Sequence, residues 1–225
     1  MNVTPPFFCG LLRRRSVPLP TWRGWLVLLL TASLVGAAML RGACDFLTVQ
    51  ESAPGGVLVV EGWLAPPDVT EALAEFRRHP YLGLYVTGGP IEQGSPVDAY
   101  GTYAVLTADV LRRAGADEAT LHAVPAPAVA KDRTYGMAQA LKKELVKNGV
   151  ATTQLNVVTS GPHARRSRLL YQRVFGPQTR VGMLALPCRN FDSARWWMTS
   201  DGFRTVTGEL IAYLYARFIF TPPRD

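Results

Sequence analysis

Residues 156–168 read NVVTSGPHARRSR. With Leu155 before it, the run 155–158 is short and largely apolar, as a buried strand is. The run breaks at Thr159-Ser160-Gly161-Pro162 and restarts at His163, after which Leu169, Leu170 and Val174 recur at helical spacing. Arg166 stands four residues before Leu170 and eight before Val174, which places it on the core-facing stripe in the first turn of that helix. Arg165 and Arg168 fall off the stripe, toward water. A strand, a tight turn and a helix N-terminus carrying an inward arginine make an anion site. Free N–H groups and the helix dipole favour negative charge there, and a guanidinium adds a bidentate clamp. A structural reading fits the same residues: Arg166 pairs with a core carboxylate and Ser160 caps the helix.

The strand-turn-helix unit repeats along the chain. An apolar run at 57–60 ends at Glu61-Gly62. Asp68-Val69-Thr70-Glu71 has capping-box spacing, and Val69, Leu73 and Phe76 form the stripe of the helix it opens. A second run, 82–86, closes at Thr87-Gly88-Gly89-Pro90; Tyr103, Leu106 and Val110 then mark a helix that ends at Gly115. A third short strand, 121–124, leads through a loop at 125–130 to Asp132, a candidate N-cap. Thr134, Ala138, Leu141 and Leu145 face inward on the helix that follows. After the central unit comes a fifth strand at 181–186, then an aperiodic stretch with Trp196-Trp197, then an apolar helix over 206–220.

Alternating strands and helices predict an α/β fold, a Rossmann-like three-layer sandwich with a mainly parallel sheet of about five strands. Right-handed crossovers put the strand C-termini on one edge, where ligands of such sheets bind. That edge collects Glu61, Gly88, Gly89, Thr134, Ser160, His163 and Arg166. Glu61 and His163 are the candidate acid and base. Gly88, Gly89, Thr134, Ser160 and Arg166 are the candidate ligand-binding groups. Pairing of Glu61 with Arg166 is favoured slightly, because a lone carboxylate beside an anion site would repel its ligand. Gly88-Gly89 is also compatible with a plain turn, and Trp196-Trp197 reads better as core than as a wall of the crevice. No dinucleotide fingerprint, Walker pattern, serine elbow or metal-ligand spacing is present.

The chain has 225 residues and a net charge of +7. Residues 1–41 hold Arg13, Arg14, Arg15, Arg23 and Arg41 and no acid, and removing those five charges leaves +2 for the rest. The globular part is therefore nearly neutral, and the net charge is no argument for nucleic acid. Residues 25–40, WLVLLLTASLVGAAML, are uncharged and just long enough to span a bilayer, with Trp22 and Trp25 at the interface. The expected organisation is a basic tail at 1–21, a transmembrane anchor at 22–41, a linker at 42–56 and the α/β domain at 57–220. A cleaved signal peptide is the competing reading of the anchor. Cys9 falls in the tail, while Cys44 and Cys188 could meet in the domain, though their spacing does not require it.

These residues resemble the YdcF/SanA/ElyC family over residues 57–218. The family pattern is an apolar first strand, a strand ending in Ser/Thr-Gly-Gly, a loop with a threonine, and then V-T-S-x-x-H-x-x-R. It falls here on the run 57–60, on Thr87-Gly88-Gly89, on Thr134, and on Val158-Thr159-Ser160 with His163 and Arg166. Residues 209–213 resemble the family's closing helix. Tyr103 stands where the family usually has a glutamate, and Lys131 and Met137 where it often has serine and asparagine. The resemblance implies a Rossmann-like fold, membrane anchoring, and a role in cell-envelope integrity or cell-wall precursor metabolism. It also raises S-adenosylmethionine binding; the residues themselves point to no cofactor. The expected partners are the membrane and a phosphorylated envelope lipid or glycan precursor, with no nucleic acid.

Four arginines before the apolar run against one after it put the tail in the cytoplasm and the domain outside, anchored in the inner membrane. A reporter that works only outside the cytoplasm, fused after Asp225, is expected to be active; activity of a cytoplasmic reporter alone would invert the topology.

Overall fold

The computed structural model describes residues 18–52, 55–129, 131–150 and 153–222, so the arginines at 13–15, Cys9 and Ala130 lie outside the described residues. The chain divides into two compact units, Met1–Leu40 and Arg41–Asp225. In the first, helix α1 (Trp22–Leu47) begins; it is long and apolar enough to cross a membrane.

The second unit is a five-stranded, all-parallel sheet of order β3-β2-β1-β4-β5. Its strands are β1 (Val57–Glu61), β2 (Gly83–Gly88), β3 (Leu121–Pro125), β4 (Gln154–Ser160) and β5 (Arg180–Leu186). The intervening helices are α2 (Pro66–Arg78), α3 (Tyr103–Arg113), α4 (Arg133–Lys147) and α5 (Ala164–Phe175), and α6 (Ser200–Phe218) closes the chain. Both faces of the sheet are covered, which is why its strands read as continuous apolar runs. Val57 and Val59 of β1 join Leu141 and Leu145 of α4 and Tyr171 and Val174 of α5 on one face. Leu58 and Val60 join Val69 and Leu73 of α2 and Ala108 and Leu111 of α3 on the other. The period of two along β1 thus separates the two cores.

Four expectations change. Helix α2 starts at Pro66, two residues before Asp68, because proline presets the helical φ and lacks the N–H that would go unpaired at this position. Asp68 is then a buried first-turn residue ion-paired to Arg189 at 2.6 Å, not the N-cap. The buried face of α3 is Ala104, Thr107, Ala108 and Leu111, one position round from Tyr103, Leu106 and Val110. Asp132 holds the N-cap position of α4 in the left-handed region, φ 59°, but its side chain caps nothing. Residues 42–52 are not a free linker, and 53–54 lie outside the described residues. α1 continues to Leu47, Cys44 and Leu47 are buried with Trp196 and Val206, and Glu51 bridges Met183 of β5 antiparallel.

Strand β2 ends where α3 begins. A Cβ on Gly88 would lie 2.8 Å from the Tyr103 carbonyl carbon and closer still to the Ala104 nitrogen, both backbone atoms, whereas a Cβ on Gly89 would meet nothing. Gly88→Ala is expected to cost about 1–3 kcal/mol through the forced retreat of α3, and Gly89→Ala less than about 0.5 kcal/mol. Thermal unfolding of the two variants tests the contrast.

Candidate functional site

The strand order reverses between β1 and β4, and β1 ends there on Glu61. Its carboxylate is fully buried. It accepts hydrogen bonds from Thr159 Oγ1 at 2.6 Å, Ser167 Oγ at 2.8 Å and Trp63 Nε1 at 3.2 Å. All three donors are neutral, so the carboxylate's lone pairs are satisfied while its charge is left to neighbours further out.

The turn after β4 supplies the next group. Gly161 takes φ +36° and opens a short 3-10 segment, Gly161–His163, that runs directly into α5. His163 therefore sits over the end of β1. Its Nε2 lies 3.4 Å from Glu61 Oε2, without hydrogen-bond geometry, and is a buried atom with no partner. Its Nδ1 lies 2.9 Å from Glu209 Oε1 of α6 and 2.9 Å from Arg166 Nη2. The edge of Trp63 packs against the imidazole, with ring centroids 5.0 Å apart.

Arg166 lies on the flank of α5 that faces α6. Nε donates to Glu209 Oε2 at 2.9 Å and Nη2 to Oε1 at 3.0 Å, a bidentate fork; Nη1 donates to Thr134 Oγ1 at 3.3 Å. The expected pairing of Arg166 with Glu61 is not what forms. Glu61 is closed in by Thr159, Ser167 and Trp63, and the guanidinium meets Glu209 instead. Burial opposes ionisation of Glu209, but hydrogen bonds from His163 and Arg166 and their charges outweigh it and hold the carboxyl down at about 2. Burial likewise works against the Arg166 charge, and Glu209 more than restores it, so its pKa is raised. One arginine and one histidine face two carboxylates, so this cluster carries no surplus positive charge.

A cavity of about 930 Å³ opens beside the cluster, lined among others by Gly88, Gly89, Thr134, His163, Arg166 and Glu209. Five of the seven residues singled out in the sequence thus line one cavity. Glu61 stands behind His163, out of reach of a ligand, and Ser160 is not part of the lining. Asp132 and Arg133 bring the N-terminus of α4 to the cavity, and the Asp132 side chain makes no cap bond there. The lining also carries apolar side chains, among them Ala212, Tyr215 and Ala216 of α6 with Leu170 of α5. Glu209 is the site residue that sequence reasoning passed over. Only its place in the closing helix pointed to it. Ser167 carried a signal, a polar residue three before Leu170 and four before Tyr171 on a buried stripe.

Cys44 and Cys188 are both free thiols, and burial pushes Cys188 up to about 11, which makes it a poor nucleophile. Among the described residues no three of His, Cys, Asp and Glu converge to hold a metal ion. No family model, no curated protein and no solved structure matches this chain.

Because Glu209 titrates near 2 in the fold, against an ordinary 4.5, its stabilisation is complete at neutral pH and is lost as pH falls from about 4.5 toward 2. The loss amounts to about 3 kcal/mol at most. Glu209→Gln is expected to lower stability at neutral pH and to flatten this acid limb. Melting curves of variant and parent that stay parallel from pH 6 to pH 3 would remove the pair from the stability account.

Proposed function

We propose that this protein is a single-pass, inner-membrane-anchored factor of cell-envelope biogenesis or integrity, whose extracytoplasmic domain binds a phosphorylated envelope precursor in the cavity beside His163. The observation that carries the reading is the mixed lining of that cavity. Its polar groups include Arg133 at the start of α4, the Thr134 hydroxyl and the bare backbone at Gly89, and its apolar side chains include Leu170, Ala212, Tyr215 and Ala216. An anionic head with a hydrocarbon tail, as in a polyprenyl-linked phosphate, matches both kinds of group. The kinship with the YdcF/SanA/ElyC family rests on the motifs, of whose residues Gly88, Thr134, His163 and Arg166 line this cavity.

Binding is better supported than turnover. Arg166 is already committed to Glu209, so a phosphate is held first by α4 and Arg133 and gains the guanidinium only by displacing a carboxylate. Both nitrogens of His163 point at protein groups, and Glu209 is too acidic to act as a base at neutral pH.

The full chain in detergent is expected to bind a long-chain prenyl phosphate at least about tenfold more tightly than the prenyl alcohol of the same length. Arg133→Ala with Thr134→Val should bring the two affinities together. Equal affinities for phosphate and alcohol in the parent protein would overturn the reading.

A further inference from the structure

Helix α6 is apolar on two sides. Val206, Leu210 and Tyr213 face Cys44, Leu47 and Trp196 in a core cluster. On its outer side Ile211, Leu214, Tyr215 and Phe218 recur at i, i+3, i+4 and i+7, one continuous stripe, and all four are exposed, Phe218 at 77 % and Ile211 at 68 %. Phe203 extends the stripe two turns earlier and Ile219 widens it at the end. A helix with apolar residues on both sides belongs between two apolar surroundings, and the protein itself supplies one.

We propose that the outer stripe of α6 rests in the surface of the bilayer to which the chain is anchored. Three observations favour lipid over other occupants. Only six residues separate Leu40, the end of the uncharged run, from Leu47, which is fully buried in the cluster on the inner side of α6, and Phe46 packs edge-on against Tyr213 at 5.7 Å. A chain that leaves a membrane there has about 10 Å of helix in which to reach α6. The charge also fits an anionic lipid surface: residues 210–222 contain no acid and one arginine, Arg217, which is exposed. Finally, the stripe runs into the cavity, because Tyr215 belongs to both and Ala212 and Ala216 of the same helix are part of the apolar lining. On the reading that the cavity takes a phosphorylated lipid, on which this last point rests, α6 is the ramp along which the hydrocarbon tail passes from bilayer to site.

The test uses the full chain reconstituted in phosphatidylethanolamine–phosphatidylglycerol bilayers doped with a phospholipid that carries a photoactivatable group in its acyl chain. Peptide mapping should find lipid adducts on residues 211–219 as well as on the anchor. Leu214→Glu with Phe218→Glu, both at exposed positions, should keep the parent melting temperature and abolish the α6 adducts. The same pair should lower loading of a bilayer-borne prenyl phosphate by about tenfold while leaving affinity for a short-chain, water-soluble prenyl phosphate unchanged. Adducts confined to the anchor would overturn the proposal, as would disulfide-linked dimers that form in a Leu214→Cys variant and not in the parent chain, which would make the stripe a dimer face. Adducts on α6 with no binding of the short-chain phosphate would leave the lipid contact standing and remove the cavity reading instead.

Discussion

A carboxylate with no access to water ends the central strand of this fold, and much of the site is arranged around it. Glu61 sits between β2 and β4 in the sheet, so its charge has no route to solvent. Leaving it unsatisfied would cost several kcal/mol. Thr159 from the end of β4 and Ser167 from α5 supply hydroxyls, and Trp63 closes the remaining side. These bonds fix how far α5 lies from the sheet and hold His163 over the strand ends. From His163 and Arg166 the network continues to Glu209, and so draws α6 onto the site. The cavity is the space left between that docked helix, the start of α4 and the Gly88-Gly89 corner.

This arrangement changes what an inward arginine means. An unpaired guanidinium at a helix start invites an anion, but here Glu209 occupies both arms of its fork. The pair makes the interior of the site neutral, and beside it at the cavity stands the start of α4, where Asp132 takes a left-handed conformation and its side chain makes no cap bond.

The sheet was legible because burial on both faces writes itself as continuous apolar runs, and the runs at 57–60, 121–124 and 181–186 came within one or two residues of the strands. The common edge followed from crossover handedness. Local rules failed where two signals compete. At 66–71 the capping-box pattern lost to Pro66 and Pro67, which start the helix earlier. On α3 small residues, not the larger Tyr103 and Leu106, face the sheet, because the backbone comes in close at Gly88. Residues 42–56 look like a linker by composition, yet Cys44 and Leu47 are needed to cover the inner side of α6. The partner of Arg166 lies 43 residues away on a helix with apolar residues on both sides, so no periodicity marked which side of Glu209 would be buried. Spacing placed the arginine, and only tertiary docking chose its carboxylate.

The central claim is that Arg166 and Glu209 form one unit that holds α6 at the sheet edge. A double-mutant cycle on the thermal or denaturant stability of the full chain reads it directly. Arg166→Ala and Glu209→Ala should each cost about 2–4 kcal/mol, because each strands a largely buried opposite charge. The double variant should cost less than the sum of the two by about 1–3 kcal/mol. Strictly additive losses would show that the two side chains act separately, and would contradict the claim.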